Sequence, residues 1–214
     1  MNVKQKTPVK NYHHGSLRDA CLQEGLVELQ ERGATHFSLR EVARRAGVTP
    51  TAIYHHFPDK DDLLADLAFV GLEEFRTKLQ DSVLPGKTPQ ETLTSMGVTY
   101  LDFFQRQPYY LDLLFSKDFA RHPEVKESRS GAFHLVTTLL EKFGIPVEET
   151  DSLALWIWSA VHGLATLINA EALGNVRDEC PEEAPRVFHL DLDELKTLLL
   201  PLFSRIVLAL VPKT

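Results

Sequence analysis

Along the chain, apolar positions recur at three- and four-residue spacing almost throughout, the period of helices with one buried face. Leu17, Cys21, Leu22, Gly25, Leu26 and Leu29 mark one such stripe, with Ser16 as the expected N-cap and Gly33 just past the last turn. A second, short helix begins at Ser38. Glu41 follows three residues later as a capping box, and Leu39, Val42, Ala43 and Ala46 sit at i, i+3, i+4 and i+7. Gly47 breaks the pattern. Thr49 caps a third helix with Pro50 at N1, where a missing N–H costs nothing. Pro58 ends that helix, and a long fourth one opens at Asp59 or Lys60 and runs through Leu64, Leu67, Ala68, Gly71, Phe75 and Leu79.

Pro85-Gly86 reads as a loop. Thr88-Pro89 with Glu91 starts a fifth helix that stops before Pro108, and a short aromatic segment covers 108–119. Further helices are expected over about 123–143, 148–173 and 191–211, the last kinked at Pro201, with an irregular acidic loop over 175–190. Alternating Val/Ile-rich runs with hairpin turns are missing, so the expected fold is all-α. The domains expected are a basic arm over 1–15, a small helical domain over 16–64 and a larger helical domain over 85–214. The fourth helix continues to about 84 as the connector between the two.

Composition narrows the class. A chain of 214 residues with 43% hydrophobic and 25% charged positions has the balance of a soluble globular protein. Apolar runs do not approach ~20 residues without a charge, so no membrane span is expected, and the polar, basic start carries no secretory core. Cys21 and Cys180 lack histidine partners at zinc-finger spacing, and a reduced cytoplasmic compartment is the natural expectation. The net charge of -7 argues against a nucleic-acid binder if taken whole. It is unevenly spread: residues 1–57 hold 8 Lys+Arg against 5 Asp+Glu, and the remainder 15 against 25. A small basic portion thus precedes a larger acidic one.

The second and third helices have the spacing of a helix-turn-helix, whose second helix enters a DNA major groove ~12 Å wide. Ile53 and Phe57, at i and i+4, must face the core. At about 100° per residue Thr51 and His55 then lie opposite, flanked by Ala52 and Tyr54. Thr49 offers a hydroxyl to a phosphate, and Lys60 a charge from the start of the next helix. Arg40 and Arg44 project from the second helix away from its buried face. The arm brings Lys4, Lys6, Lys10 and Arg18 before any acid. It either enters a minor groove or is a solvated tail.

The stretch FSLREVARRAGVTPTAIYHHFPDKDDLL, residues 37–64, resembles the DNA-binding domain of the TetR family of bacterial transcription regulators. The resemblance implies phosphate contacts from Thr49, Tyr54 and Lys60, base contacts from Thr51, Ala52 and His55, and a base or backbone contact from Arg40. Pro50 and Arg44 complete the expected DNA-facing set. The third helix departs in carrying no Arg or Lys, so guanine readout by arginine falls to Arg40, Arg44 or the arm. Trp158, His162 and Gly163, together with YHHGSLRDA over 12–20, resemble the Trp-His-Gly class of C-terminal domains in that family. The family implies a repressor bound as a homodimer to a palindromic operator and released by a small hydrophobic or aromatic effector.

For the effector pocket the candidates are Tyr100, Phe103, Phe104, Tyr110, Phe133, His134, Trp158 and His162. The aromatics serve equally as core, and His162 as either a ligand contact or a packing residue. For the dimer the candidates are Leu199, Leu202 and Ile206, in a segment apolar nearly all round. No cofactor or metal is expected: the His13-His14 and His55-His56 pairs diverge by about 100° on a helix and cannot share an ion. HExxH, phosphate-loop and nucleophile-elbow motifs are missing, so an enzyme is the rejected class. A ligand-insensitive or activating regulator stays open beside the repressor.

Overall fold

The computed structural model describes residues 14–116 and 119–170, and scattered helical positions between 193 and 209. Its helices are α1 (His14–Arg32), α2 (Leu39–Arg45), α3 (Pro50–His56), α4 (Lys60–Asp81), α5 (Pro89–Arg106), α6 (Pro108–Ser116), α7 (Pro123–Lys142) and α8 (Val147–Asn169). Among the described residues there is no strand. The arm over 1–13, the acidic loop and most of the expected last helix, with Leu199, Leu202 and Ile206, lie outside the described residues.

Side-chain caps set several of the boundaries. Ser38 Oγ accepts from the Glu41 N–H at 3.4 Å, and Thr49 Oγ1 from that of Ala52 at 3.2 Å. Thr88 and Glu91 form a reciprocal capping box at the start of α5. Two expectations need correction. Helix α1 begins at His14, so Ser16 lies inside it; the apolar stripe marks only the buried part of a helix, and a formed helix extends backward at little cost. The Glu41 carboxylate is taken by Arg44 and Arg45.

The chain divides into two compact units, residues 1–67 and 68–214, with the division inside α4. In the first, α1 packs on α2 and α2 on α3 around fully buried Leu29, Val42, Ile53, Phe57, Leu63 and Leu64. Gly47 closes the turn between α2 and α3 at φ +68, a left-handed conformation that strains a residue with a Cβ. Arg18 belongs to α1 rather than to a free arm. It pairs with Asp66 and lies 5.7 Å over the Phe57 ring. Arg45 ties α2 to α1, pairing with Glu31 and lying 3.5 Å from the wholly buried Glu28, which Arg32 also approaches at 3.5 Å.

In the second unit α8 packs on α5 and α7, and α5 on α6. Its core joins Leu93, Leu140, Ile145, Ala154 and Ile157. Helix α8 buries one ridge, Ala154, Ile157, Val161 and Ala165, and exposes Leu155, Trp156 and Leu167. By length and composition it is apolar enough to cross a membrane, a test that the core helix of a globular protein also passes. Two of its polar side chains are engaged inside the unit, Asn169 donating to the Phe104 carbonyl and His162 meeting Tyr100. Gly163 was expected to admit a close helix; among the described residues nothing comes within 4 Å of a Cβ placed there.

Gly71 of α4 does have such a neighbour. A Cβ there would lie 2.5 Å from the Tyr110 ring, which is itself almost wholly buried. Gly71→Ala should therefore destabilise the fold by about 1–3 kcal/mol, the usual cost of overpacking, read as a lower urea midpoint. An unchanged midpoint would show that the ring has room to move.

Arg45→Met takes one of two nearby cations from buried Glu28 and should lower the urea midpoint far more than Arg44→Met, whose side chain is exposed. Glu41 is held down to about 2, first by the Arg44 guanidinium and then by Arg45. A carboxylate so depressed stabilises fully above its ordinary value of 4.5, and the contribution is lost as pH falls toward 2. Acid titration of the native chain should show that loss, and the double Arg44→Met, Arg45→Met variant a shallower one. Equal midpoints for the two single variants would overturn the ranking.

Candidate functional site

A helix of seven residues exposes most of its surface, and α3 does so selectively. Ile53 and Phe57 are buried at i and i+4, while Thr51, Tyr54 and His55 are exposed and Ala52 and His56 half-buried. Thr49 and Pro50 are exposed at its start, and Lys60 is exposed at the first residue of α4. Arg40 is exposed on α2. Arg44 is exposed as well, but its guanidinium is forked onto Glu41, with Nε at 2.9 Å and Nη2 at 2.5 Å. All nine candidates thus belong to the first unit and none is fully buried. The surface of α3 presents a hydroxyl, a phenol, an imidazole and a methyl group, with no acid to repel a phosphate backbone. Such groups hydrogen-bond base edges or touch a thymine methyl.

The second unit holds a cavity of about 280 Å³. Its wall comes from Leu72, Phe75 and Leu79 of α4, Leu93, Met96, Gly97 and Tyr100 of α5, and Phe115 of α6. Helix α7 adds Arg129, Ser130, Ala132, Phe133, His134 and Val136, and α8 adds Ile157, Trp158 and Val161. Of the residues expected from the sequence, Tyr100, Phe133, His134 and Trp158 line it. Phe103, Phe104 and Tyr110 do not. They are buried among aromatic neighbours, Phe103 stacked on Tyr110 at 6.1 Å, because α6 packs over that end of α5.

His162 is also outside the wall. Its Nδ1 lies 2.8 Å from the Tyr100 hydroxyl, to which the Trp158 indole N–H donates at 3.3 Å. Burial lowers the imidazole's pKa and raises the phenol's, which favours the neutral form of both partners in this hydrogen bond. Trp158 and His162 do share a helix face, their rings 6.0 Å apart, and both converge on one hydroxyl. His162 thus meets the cavity wall through Tyr100 rather than lining it. Arg129 was missed. The signal was available: it sits at i of an otherwise apolar i, i+3, i+4, i+7 stripe with Ala132, Phe133 and Val136.

Residues 22–67 match the family described as bacterial regulatory proteins, tetR family, and residues 93–195 match the tetracyclin repressor-like C-terminal domain. Together these span more than half of the chain. Among solved structures, a protein of unknown function from Rhodococcus sp. RHA1 is 26% identical, with a TM-score of 0.72 over 92% of this chain and 98% of that one. A transcriptional regulator from the same organism is 23% identical, with a TM-score of 0.67 over 90% and 96%. A TetR variant from Acinetobacter baumannii AYE, in complex with minocycline, has the same fold at 19% identity and a TM-score of 0.63 over 92% and 95%. With its helix-turn-helix unit and its cavity-bearing helical unit each matched in this way, the chain belongs to the TetR family of DNA-binding transcriptional regulators.

Proposed function

We propose that the protein is a cytoplasmic repressor that holds a palindromic operator as a homodimer and leaves it when a small hydrophobic or aromatic effector enters the cavity. The observation that carries this reading is α4, one unbroken helix from Lys60 to Asp81 that begins beside the DNA-facing set and lines the cavity with Leu72, Phe75 and Leu79. A ligand that pushes on those three side chains pushes on the helix that carries Lys60. Two recognition helices must match successive major grooves about 34–36 Å apart, so a small displacement is enough to spoil the fit. A full switch from 99:1 to 1:99 needs about 5.5 kcal/mol of differential binding, which requires very unequal contacts in the two states.

The dimer is supported by the stripe that α8 leaves exposed, Leu155, Ser159 and Leu167 around the small Gly163. An isologous pairing of that face doubles the number of recognition helices, as a palindrome demands. Leu155→Glu should turn a dimer into a monomer in sedimentation at micromolar concentration. A native protein that sediments as a monomer would overturn the pairing.

Within the DNA-facing set, anchoring and reading are separable. Lys60 is a flexible point charge and holds a phosphate; His55, opposite Ile53 and Phe57, reads a base. Footprinting on the DNA flanking its own gene supplies the operator. Lys60→Ala should then weaken operator and scrambled duplex alike and reduce the magnitude of the salt slope by about one. His55→Ala should erode discrimination by about 1–3 kcal/mol at one base-pair position and spare scrambled DNA. Should Lys60→Ala change base preference while His55→Ala weakens both duplexes equally, the two roles are reversed.

A further inference from the structure

The positive charge that the first unit can offer DNA is smaller than its arginines suggest, because α1 and α2 are joined by a string of ion pairs. Glu41 takes the Arg44 fork, Nε at 2.9 Å and Nη2 at 2.5 Å, and accepts from Arg45 Nε at 3.2 Å as well. Arg45 reaches on to Glu31, with Nη1 at 3.1 Å, and to buried Glu28, which Arg32 also approaches. Arg32, Arg44 and Arg45 thus stand against Glu28, Glu31 and Glu41, and the string as a whole carries no net charge. Arg44 lies four residues after Arg40 and shares its face of α2. Its side chain is 71% exposed, that of Glu41 22%. Among the described residues Arg40 has no carboxylate at ion-pair distance.

We propose that Glu41 is a brake on DNA binding: it cancels the charge of Arg44 on the DNA-facing side of α2 and so sets how tightly the protein holds the phosphate backbone of any sequence. This rests on reading the α2 and α3 surface as the DNA-facing one. Phosphate contacts gain affinity by releasing counterions in proportion to the positive charge that replaces them. The pair of Arg44 and Glu41 replaces none. For Arg44 to reach a phosphate it must leave a bidentate partner and bare a carboxylate beside the same backbone, so repulsion offsets the contact. Arg45 gives Glu41 little relief, since its guanidinium is shared with Glu31 and Glu28. An exposed pair of this kind adds little to stability, and its main effect falls on what approaches the surface.

Anisotropy titrations of the full-length protein against operator and scrambled duplex, at several salt concentrations, test this. Glu41→Gln should tighten both duplexes without changing base preference. Its salt slope should be steeper by about 0.9, an extra weakening of about 3.5-fold between about 50 and 200 mM salt. The double Glu41→Gln, Arg44→Gln variant should return to the native slope, with both affinities within about twofold of native. Arg40→Gln, on the same face without a partner, should weaken both duplexes. A Glu41→Gln slope equal to native, or a double variant with a slope shallower than native by about one, overturns the brake. If Arg40→Gln acts and Glu41→Gln does not, the DNA-facing reading of α2 stands without the brake; if neither acts, that reading falls as well. In native protein the Arg44 Nε–H resonance should keep its position when scrambled duplex is added, while that of Arg40 shifts. An Arg44 resonance that moves with that of Arg40 overturns the proposal, even if the Glu41 variants do not fold.

Discussion

What α3 turns outward depends on two side chains, Ile53 and Phe57. A seven-residue helix has no stability of its own, because nucleation in water costs more than two turns of hydrogen bonds return. Helix α3 exists because Thr49 caps it and because Ile53 and Phe57 are buried against its neighbours. Phe57 is further covered by Arg18, itself held by Asp66. The same two burials fix the rotation of the helix about its axis and so decide that Thr51, Tyr54 and His55 are the residues turned outward. The outward face is a by-product of packing. A change in the core can therefore rotate the whole set without touching any member of it.

The second unit solves a different problem, keeping a space open inside a packed core. Aromatic rings do this well, since they are rigid and pack edge to face at fixed distances, as Phe75 does on Tyr100 at 5.3 Å. The Tyr100 hydroxyl would be a liability in such a wall were it not bonded by both Trp158 and His162. That arrangement gives the Trp-His pairing on α8 a physical role: it satisfies the hydroxyl of a buried phenol and thereby ties α5 to α8 beside the cavity.

Much of this was legible in the sequence, unevenly. Caps at Ser38, Thr49 and Thr88 announced three helix starts because each is a local hydrogen bond between a side chain and a backbone N–H three residues away. The outward face of α3 followed from two apolar residues and the helical period. The cavity wall was harder. Leu93, Met96, Gly97 and Tyr100 form one stripe on α5, and Phe103 and Phe104 continue it without interruption. Periodicity says which residues face inward, not where the interior stops being filled; that depends on α6, which the chain places over the far end. Arg129 escaped for the opposite reason, since a charge is read by default as solvent-facing. The expected start of α1 failed because an apolar stripe reports burial, and a helix can outrun its buried portion.

The contact between Gly71 and Tyr110 has a mechanical consequence. Most helix pairs meet through flexible side chains that can slide or change rotamer, and α4 has many such contacts along its length. At Gly71 an aromatic ring bears directly on the helix backbone, with no side chain between to absorb a shift. Leu72, Phe75 and Leu79 of the cavity wall follow it directly along the helix. A shift of α4 at this point therefore has to carry Tyr110, and α6 with it, or open a gap against the bare backbone.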